Sequence, residues 1–381
     1  KEVTVNFSWR NNVIEATYET PTEYLNLFNM IDGNIDYVLS DTGKEFKVRA
    51  TAGGFLIKPI GSGLQKFVIS VRNGSKTLNG LFSNNRNLTA LDFSNADLSG
   101  IEDMSSLCYY ANSLKEFKIN FREQDTKTLN NVSKMFCGCN KLEEIDLTGI
   151  DTGNVTDMSS WFAFCSSLRE LDVRDLNTSK VSNMNSLFLS CESLETLDIS
   201  EFKTDDVNNM AFMFNSCYSL QSIIGISGLN TSSVTDIRRM FYDCRSLNSL
   251  DVSRFNTGQC RSMEGMFYSC RRLTELDVSG FSTENVTNMR NMFSGCTSLE
   301  RLDVSRFRTD NVSDMSMMFR ACGKLQAIDL SGFSFKSLKN ASEMFYSAGI
   351  QEIEIPHFKA PLLKDAKRMF YQSGVKSIRI S

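Results

Sequence analysis

The chain has 381 residues, 41% of them hydrophobic and 23% charged, with 45 acidic side chains against 41 basic ones and a formal net charge of −4. That balance gives no long-range attraction to a phosphate backbone and disfavours a nucleic-acid partner. No stretch approaches the roughly 18 apolar residues that a membrane-spanning helix needs, and no basic, apolar-centred leader opens the chain, so a soluble chain is expected.

Residues 1–62 carry no repeat. Residues 3–7 and 13–18 read as two strands joined by a turn through Arg10, Asn11 and Asn12. Thr20-Pro21-Thr22-Glu23 has the look of a helix start, with Leu25, Phe28 and Met30 on one side of the helix, and strands follow at 37–39 and 46–48. The order strand, strand, helix, strand, strand suits a small β-grasp module. The alternative is a β-rich cap that seals the first repeat.

Residues 63–381 are periodic. Cys139, Cys165, Cys191, Cys217, Cys244, Cys270, Cys296 and Cys322 recur at intervals of 26, with one interval of 27. A phenylalanine stands three residues before each, from Phe136 to Phe319, and a leucine three residues after each, from Leu142 to Leu325. One unit shows the pattern. Leu276-Asp277-Val278-Ser279 alternates apolar and polar, as a strand with one buried face does; Gly280-Phe281-Ser282-Thr283 turns the chain. Val286, Met289, Met292, Phe293 and Cys296 then follow at spacings of three and four, which predicts a short helical turn with Thr287 as N-cap.

A strand and one helical turn cannot bury their apolar faces alone, whereas stacked copies share a core. The expected fold is therefore α/β: a leucine-rich-type repeat solenoid of about twelve 26-residue strand-plus-helical-turn units forming a parallel sheet, behind a small N-terminal β-rich domain. Its ends are degenerate. Residues 67–70 read as a first strand, Leu81-Phe82 and Leu107-Cys108 stand where later units have Met-Phe, two extra residues fall in the loop from Phe121 to Asn131, and one is inserted near Ile224-Gly225. Downstream, Ala348 replaces the cysteine, Ile353-Glu354-Ile355-Pro356 replaces the LDVS segment, and a last strand follows at 377–381. Lys376 and Arg379 would discourage edge pairing there.

The eleven cysteines lack the paired spacing of a structural zinc site, and His357 is the single histidine. A cysteine recurring once per unit between Phe and Leu reads as a small core residue, although spacing alone leaves occasional bridges between neighbours open. Cys260 stands where other units have valine and belongs with the core, while Cys137 is the candidate for an accessible thiol. Met158, Met184, Met210, Met263, Met289 and Met315 follow the apolar spacing and read as core rather than soft-metal ligands.

The polar feature open to a functional reading is a column of aspartates at one outward strand position: Asp146, Asp172, Asp198, Asp251, Asp277, Asp303 and Asp329, preceded by Asp92. Carboxylates stacked about 5 Å apart repel, so something must offset the cost. Either Ser200, Ser253, Ser279, Ser305 or backbone N–H groups hydrogen-bond them locally, or the column, with Glu144, Glu170 and Glu275, forms an acidic face for a basic partner or loosely held cations such as Ca²⁺. Ten Asn-x-Ser/Thr triplets, Asn154, Asn285 and Asn311 among them, arise largely because the repeat turn reads Asn-Val-Thr or Asn-Val-Ser.

Units of the form LDVSGFSTENVTNMRNMFSGCTSL resemble the BspA-like leucine-rich repeats of bacterial surface proteins, in the class first catalogued as a domain of unknown function in mycoplasma lipoproteins. The likeness covers about 300 of the 381 residues and leaves out the first sixty. It implies export, anchoring at the bacterial surface with a lipid anchor upstream, and in some members adhesion to protein or glycan partners; it supplies no catalytic, cofactor or metal residues. The expected function is a non-catalytic interaction or adhesion module using the strand face or loop edges. The alternatives are a structural spacer and a polysaccharide-active β-solenoid enzyme working through its aspartates.

Overall fold

The computed structural model describes residues 76–380, apart from 87–88, 93–97, 99, 120, 122–125 and 356–357, and five strands ahead of them. Those five are β1 (Glu2–Ser8), β2 (Val13–Thr17), β3 (Ile35–Leu39), β4 (Glu45–Ala50) and β5 (Lys66–Arg72). They include the strands expected at 3–7, 37–39, 46–48 and 67–70, and β2 covers most of 13–18. The pairing differs from a β1–β2 hairpin, because β1 runs parallel to β5 in register from Glu2↔Lys66 to Ser8↔Arg72, while β2, β4 and β3 form an antiparallel sheet. The expected turn at 10–12 and helix at 20–30 lie outside the described residues.

The chain divides into two compact units, Lys1–Lys180 and Val181–Ser381. In the first unit β6 (Ala90–Asp92) and β7 (Glu116–Lys118) extend β5 in parallel, so β1 belongs to the sheet that opens the repeats. In the second unit the strands are β8 (Thr196–Asp198), β9 (Ser222–Ile224), β10 (Glu275–Leu276), β11 (Arg301–Leu302), β12 (Ala327–Asp329), β13 (Glu352–Ile355) and β14 (Ser377–Ile380). All pair in parallel with the strand one repeat away, as in Leu276↔Leu302 and Ile353↔Ile378. Such parallel ladders fit a repeat solenoid.

The segment expected to be helical is a chain of overlapping β-turns. In the row of Phe293, the N–H groups of Met292, Ser294 and Cys296 donate to the carbonyls of Met289, Asn291 and Phe293, each three residues back. The alternate N–H groups, of Met289, Asn291, Phe293 and Gly295, donate instead to Asp314, Ser316, Met318 and Arg320 of the next row at 2.7–3.0 Å. An α-helix would keep every donor inside the segment; here half of them tie one row to the next. The Thr287 N-cap is lost with the helix, and its hydroxyl donates to the Arg261 carbonyl one row back, at 3.1 Å. The turns need a left-handed residue two positions before each phenylalanine, and Lys134, Phe212, Arg239 and Met317 adopt φ of 54–61° there. The strain of bulky side chains at positive φ is offset by the ladder it makes.

Within each unit the Met, Phe, Cys and Leu of successive rows are buried with almost no exposure. In the second unit the phenylalanine rings from Phe188 to Phe370 stack at 5.4–5.8 Å, nearly parallel. The one-residue insertion near Ile224 is absorbed by Gly225 at φ 84° and a 3-10 turn over Ile226–Gly228. A Cβ on Gly225 would come within 2.4 Å of the Ser200 Cα, so this row accepts no other residue without moving.

A buried threonine column joins the rows through both halves of its hydroxyl. Thr283 Oγ1 donates to the Arg308 carbonyl at 3.1 Å and accepts the Arg308 N–H at 2.7 Å, and Thr309 repeats this with Ser334 at 2.8 Å each way. Thr283→Val keeps the shape and removes both bonds in a buried place, so we expect a loss of about 1–3 kcal/mol in urea unfolding. Thr283→Ser should keep most of it; an unaltered midpoint in the valine variant would show that the column adds nothing.

Candidate functional site

The strand-face aspartates are held by the chain itself. In every repeat of the column from Asp146 to Asp329, Oδ1 accepts the N–H of the residue two positions on, at 2.7–3.2 Å: Thr148, Arg174, Ser200, Ser253, Ser279, Ser305 and Ser331 are the donors. This is the Asx-turn geometry that short carboxylates favour where a strand ends. Ser253 and Ser305 add their hydroxyls at 2.6 and 2.7 Å, and the Arg174 guanidinium grips both oxygens of Asp172 at 3.0 and 2.7 Å. The local explanation for stacking like charges is therefore the one observed.

The same column is not a uniform acidic face. Glu144, Glu170 and Glu275 are exposed, but Glu275 stands opposite Arg301 in the ladder, and Ile224, 54% exposed, interrupts the aspartates of the second unit. Shallow grooves run between the rows, one lined by Glu144, Asp146, Glu170 and Asp172 with Lys115 and Lys118, another by Asp251, Glu275, Asp277, Arg301 and Asp303. Among the described residues no group of three His, Cys, Asp or Glu side chains is placed to hold a metal ion. His357 lies outside the described residues.

Hydrogen bonding governs the charge state of these carboxyls. The Arg174 guanidinium and N–H hold Asp172 down to about 2, and Ser253, Ser279 and Ser305 lower Asp251, Asp277 and Asp303 through their side-chain and backbone donors. A depressed folded-state value means that these bonds contribute stability above the ordinary value of 3.8 and lose it as the pH falls toward 2. The exposed position of Asp172 screens the effect. Carboxyl NMR should place the Asp172 midpoint near 2, moving toward 3.8 in Arg174→Ala; an unmoved midpoint would remove the guanidinium from the account.

All eleven cysteines are free and buried. Cys137, expected to be accessible, is only 5% exposed, and burial pushes its thiol up to about 11. The column thiols do more than fill space: Cys165, Cys217, Cys244, Cys270, Cys296 and Cys322 each donate S–H to the phenylalanine carbonyl of the preceding row at 3.1–3.2 Å. Thiol chemistry needs an accessible thiolate, so an aromatic disulfide reagent at pH 8 should leave the native chain unlabelled over minutes and label all eleven cysteines after denaturation. Rapid native labelling at Cys137 would contradict its burial.

Two features escaped the sequence reading. One is a second Asx column just before the turn chain, where Asp103, Asn131, Asp157, Asn209, Asp236 and Asp314 each accept the N–H two residues on at 2.8–3.2 Å. Its signal was present as the Asn or Asp before Met104, Val132, Met158, Met210, Ile237 and Met315, but the expected helix hid it. The other is a patch on the turn chain of the second unit. There Tyr242 and Tyr268 stack at 4.3 Å, Arg239 lies over Phe212 and Tyr242 at 5.7 and 5.6 Å, and Arg245 lies over Tyr218 at 4.4 Å.

Across this architecture a family model matches three times, over residues 76–194, 162–275 and 263–381, which together span the repeats. The family is described as Mycoplasma protein of unknown function, DUF285. The chain belongs to it. The tandem DUF285 matches follow the repeat array, and β1 to β5 precede them. No curated protein and no solved structure matches the chain. No helix among the described residues is long and apolar enough to cross a membrane.

Proposed function

We propose that this DUF285 chain is a non-catalytic binding scaffold of the BspA-like leucine-rich-repeat kind, displayed at a bacterial cell surface and presenting its outward residues to a protein or glycan on a host or neighbouring cell. One observation carries the reading: the inward columns stay nearly constant while the outward ones change from row to row. At the position before each phenylalanine stand Met240, Met266, Met292 and Met318, all buried. At the position after it stand the half-exposed Tyr242, Tyr268 and Arg320, with a buried Ser294 in the row between the last two. A core that repeats while its surface does not is what a display scaffold requires, since surface residues can vary at little cost in stability.

The leucine-rich class is supported by the buried Leu273, Leu276, Leu299 and Leu302, which recur around the strand in LxxLDV order. The self-satisfied aspartates favour the outward turn residues over the acidic strand face as the place of contact. Binding of the full chain to epithelial cells and to mucin- or collagen-coated surfaces tests the proposal. The expectation is saturable binding that weakens when outward residues are substituted while the melting temperature stays the same. Lack of saturable binding across all of these surfaces would overturn it.

A further inference from the structure

The patch of arginines and tyrosines on the turn chain of the second unit differs from its neighbours in a way that the repeat does not require. The column two positions before each phenylalanine holds left-handed residues, and its other members, such as Ser160, Ser186, Phe212, Arg239, Asn291 and Met317, manage φ of 54–61° without glycine. In the second unit Gly265, at φ 59°, is the one glycine at that position. Backbone conformation therefore does not explain it. Space does: a Cβ on Gly265 would stand 3.1 Å from the Tyr242 ring and 3.2 Å from Arg239 Cγ. The missing side chain leaves room for the Tyr242 ring, stacked on Tyr268, and for the Arg239 guanidinium above it.

The guanidiniums there are of two kinds. Arg239 and Arg245 are fixed, the first by Glu264 at 2.6 Å and the second by both oxygens of Asp243 at 2.8 and 2.7 Å, and each also lies over an aromatic ring. Neither pair uses all five donors of the guanidinium. Arg271, Arg272 and Arg290 are exposed and have no acidic partner among the described residues. The register sets Arg239, Gly265 and Arg290 in three consecutive rows, because Arg239 N–H donates to the Glu264 carbonyl and Gly265 N–H to that of Arg290, and Arg271 and Arg272 follow Cys270 in the middle row. The result is local positive charge on a chain whose net charge is −4.

We propose that this patch binds an acidic glycan, a linear polysaccharide bearing carboxylates or sulfates, lying along the stack. Charge complementarity calls for a polyanion, and the spacing of the rows selects among polyanions. Rows in a parallel ladder repeat at about 4.8 Å, whereas an extended peptide places its same-face side chains about 6.6 Å apart and drifts out of step with the rows. An extended glycan with one acidic group per sugar ring advances by a distance close to one row. The half-exposed Tyr242 and Tyr268 add hydroxyls and ring edges suited to sugar hydroxyls and C–H groups. The free arginines provide the charge, and the clamped ones, already ordered, lose little freedom on binding.

This inference rests on the binding-scaffold reading and specifies its ligand. The test is binding of the full chain to polygalacturonate and heparin, with neutral dextran and poly-glutamate alongside. We expect saturable binding to both acidic glycans, none to dextran, weaker binding to poly-glutamate, and progressive loss as salt is raised. The triple variant Arg271→Glu, Arg272→Glu, Arg290→Glu should bind at least about tenfold more weakly at an unchanged melting temperature, while Asp277→Lys on the strand face should not weaken binding. If the triple variant fails to fold, Arg271→Gln and Arg290→Gln measured singly carry the same expectation. Absence of acidic-glycan binding, equal binding to poly-glutamate, or full binding by the arginine variants would overturn the assignment. Cell and mucin binding retained without acidic-glycan binding would leave the scaffold reading standing; loss of both would remove the two together.

Discussion

Sharing of backbone hydrogen bonds between rows is the constraint on which the rest of this structure depends. In the turn chain every second N–H closes a turn within its own row, and the ones between reach the carbonyls of the next. A buried backbone donor left without a partner costs a substantial part of a domain's net stability. A row by itself could not satisfy its donors, so the repeat exists only as a stack. The same requirement excludes the helix that the apolar spacing suggests, because a helix would spend every donor internally.

The side-chain columns follow from that sharing. Threonine bridges rows through one hydroxyl used as donor and acceptor, and cysteine contributes an S–H to the phenylalanine carbonyl one row back. Phenylalanine stacking, worth about 0.5–1.5 kcal/mol per pair beyond buried area, repeats with the rows. These contributions reinforce the register that the backbone sets, and a one-residue insertion is accommodated only where Gly225 permits the close approach to Ser200.

The outward surface is freed from this work. On the strand face each aspartate from Asp146 to Asp329 accepts the N–H of its own Asx turn through Oδ1. On the turn chain of the second unit, by contrast, tyrosines and arginines depart from the column pattern together, and Gly265 makes space for them. The two surfaces differ because a carboxylate two residues from a free N–H satisfies itself locally, while an exposed guanidinium such as Arg290 has no such acceptor beside it.

The sequence by itself determined the repeat length, the buried Phe, Cys, Met and Leu columns, the strand positions and the membership of the aspartates in one outward column, since each is a matter of periodicity and polarity along the chain. It allowed either answer for the aspartates and named Cys137 as accessible, because neither local hydrogen bonding nor depth is written in spacing. Tertiary structure alone decided that the three-and-four spacing is a chain of turns, that β1 pairs with β5, and that Tyr242, Tyr268 and Arg239 come together over Gly265. Periods of three and four suit a helix and a run of overlapping turns equally; what separates them is where the hydrogen bonds go, and half of those go to another row.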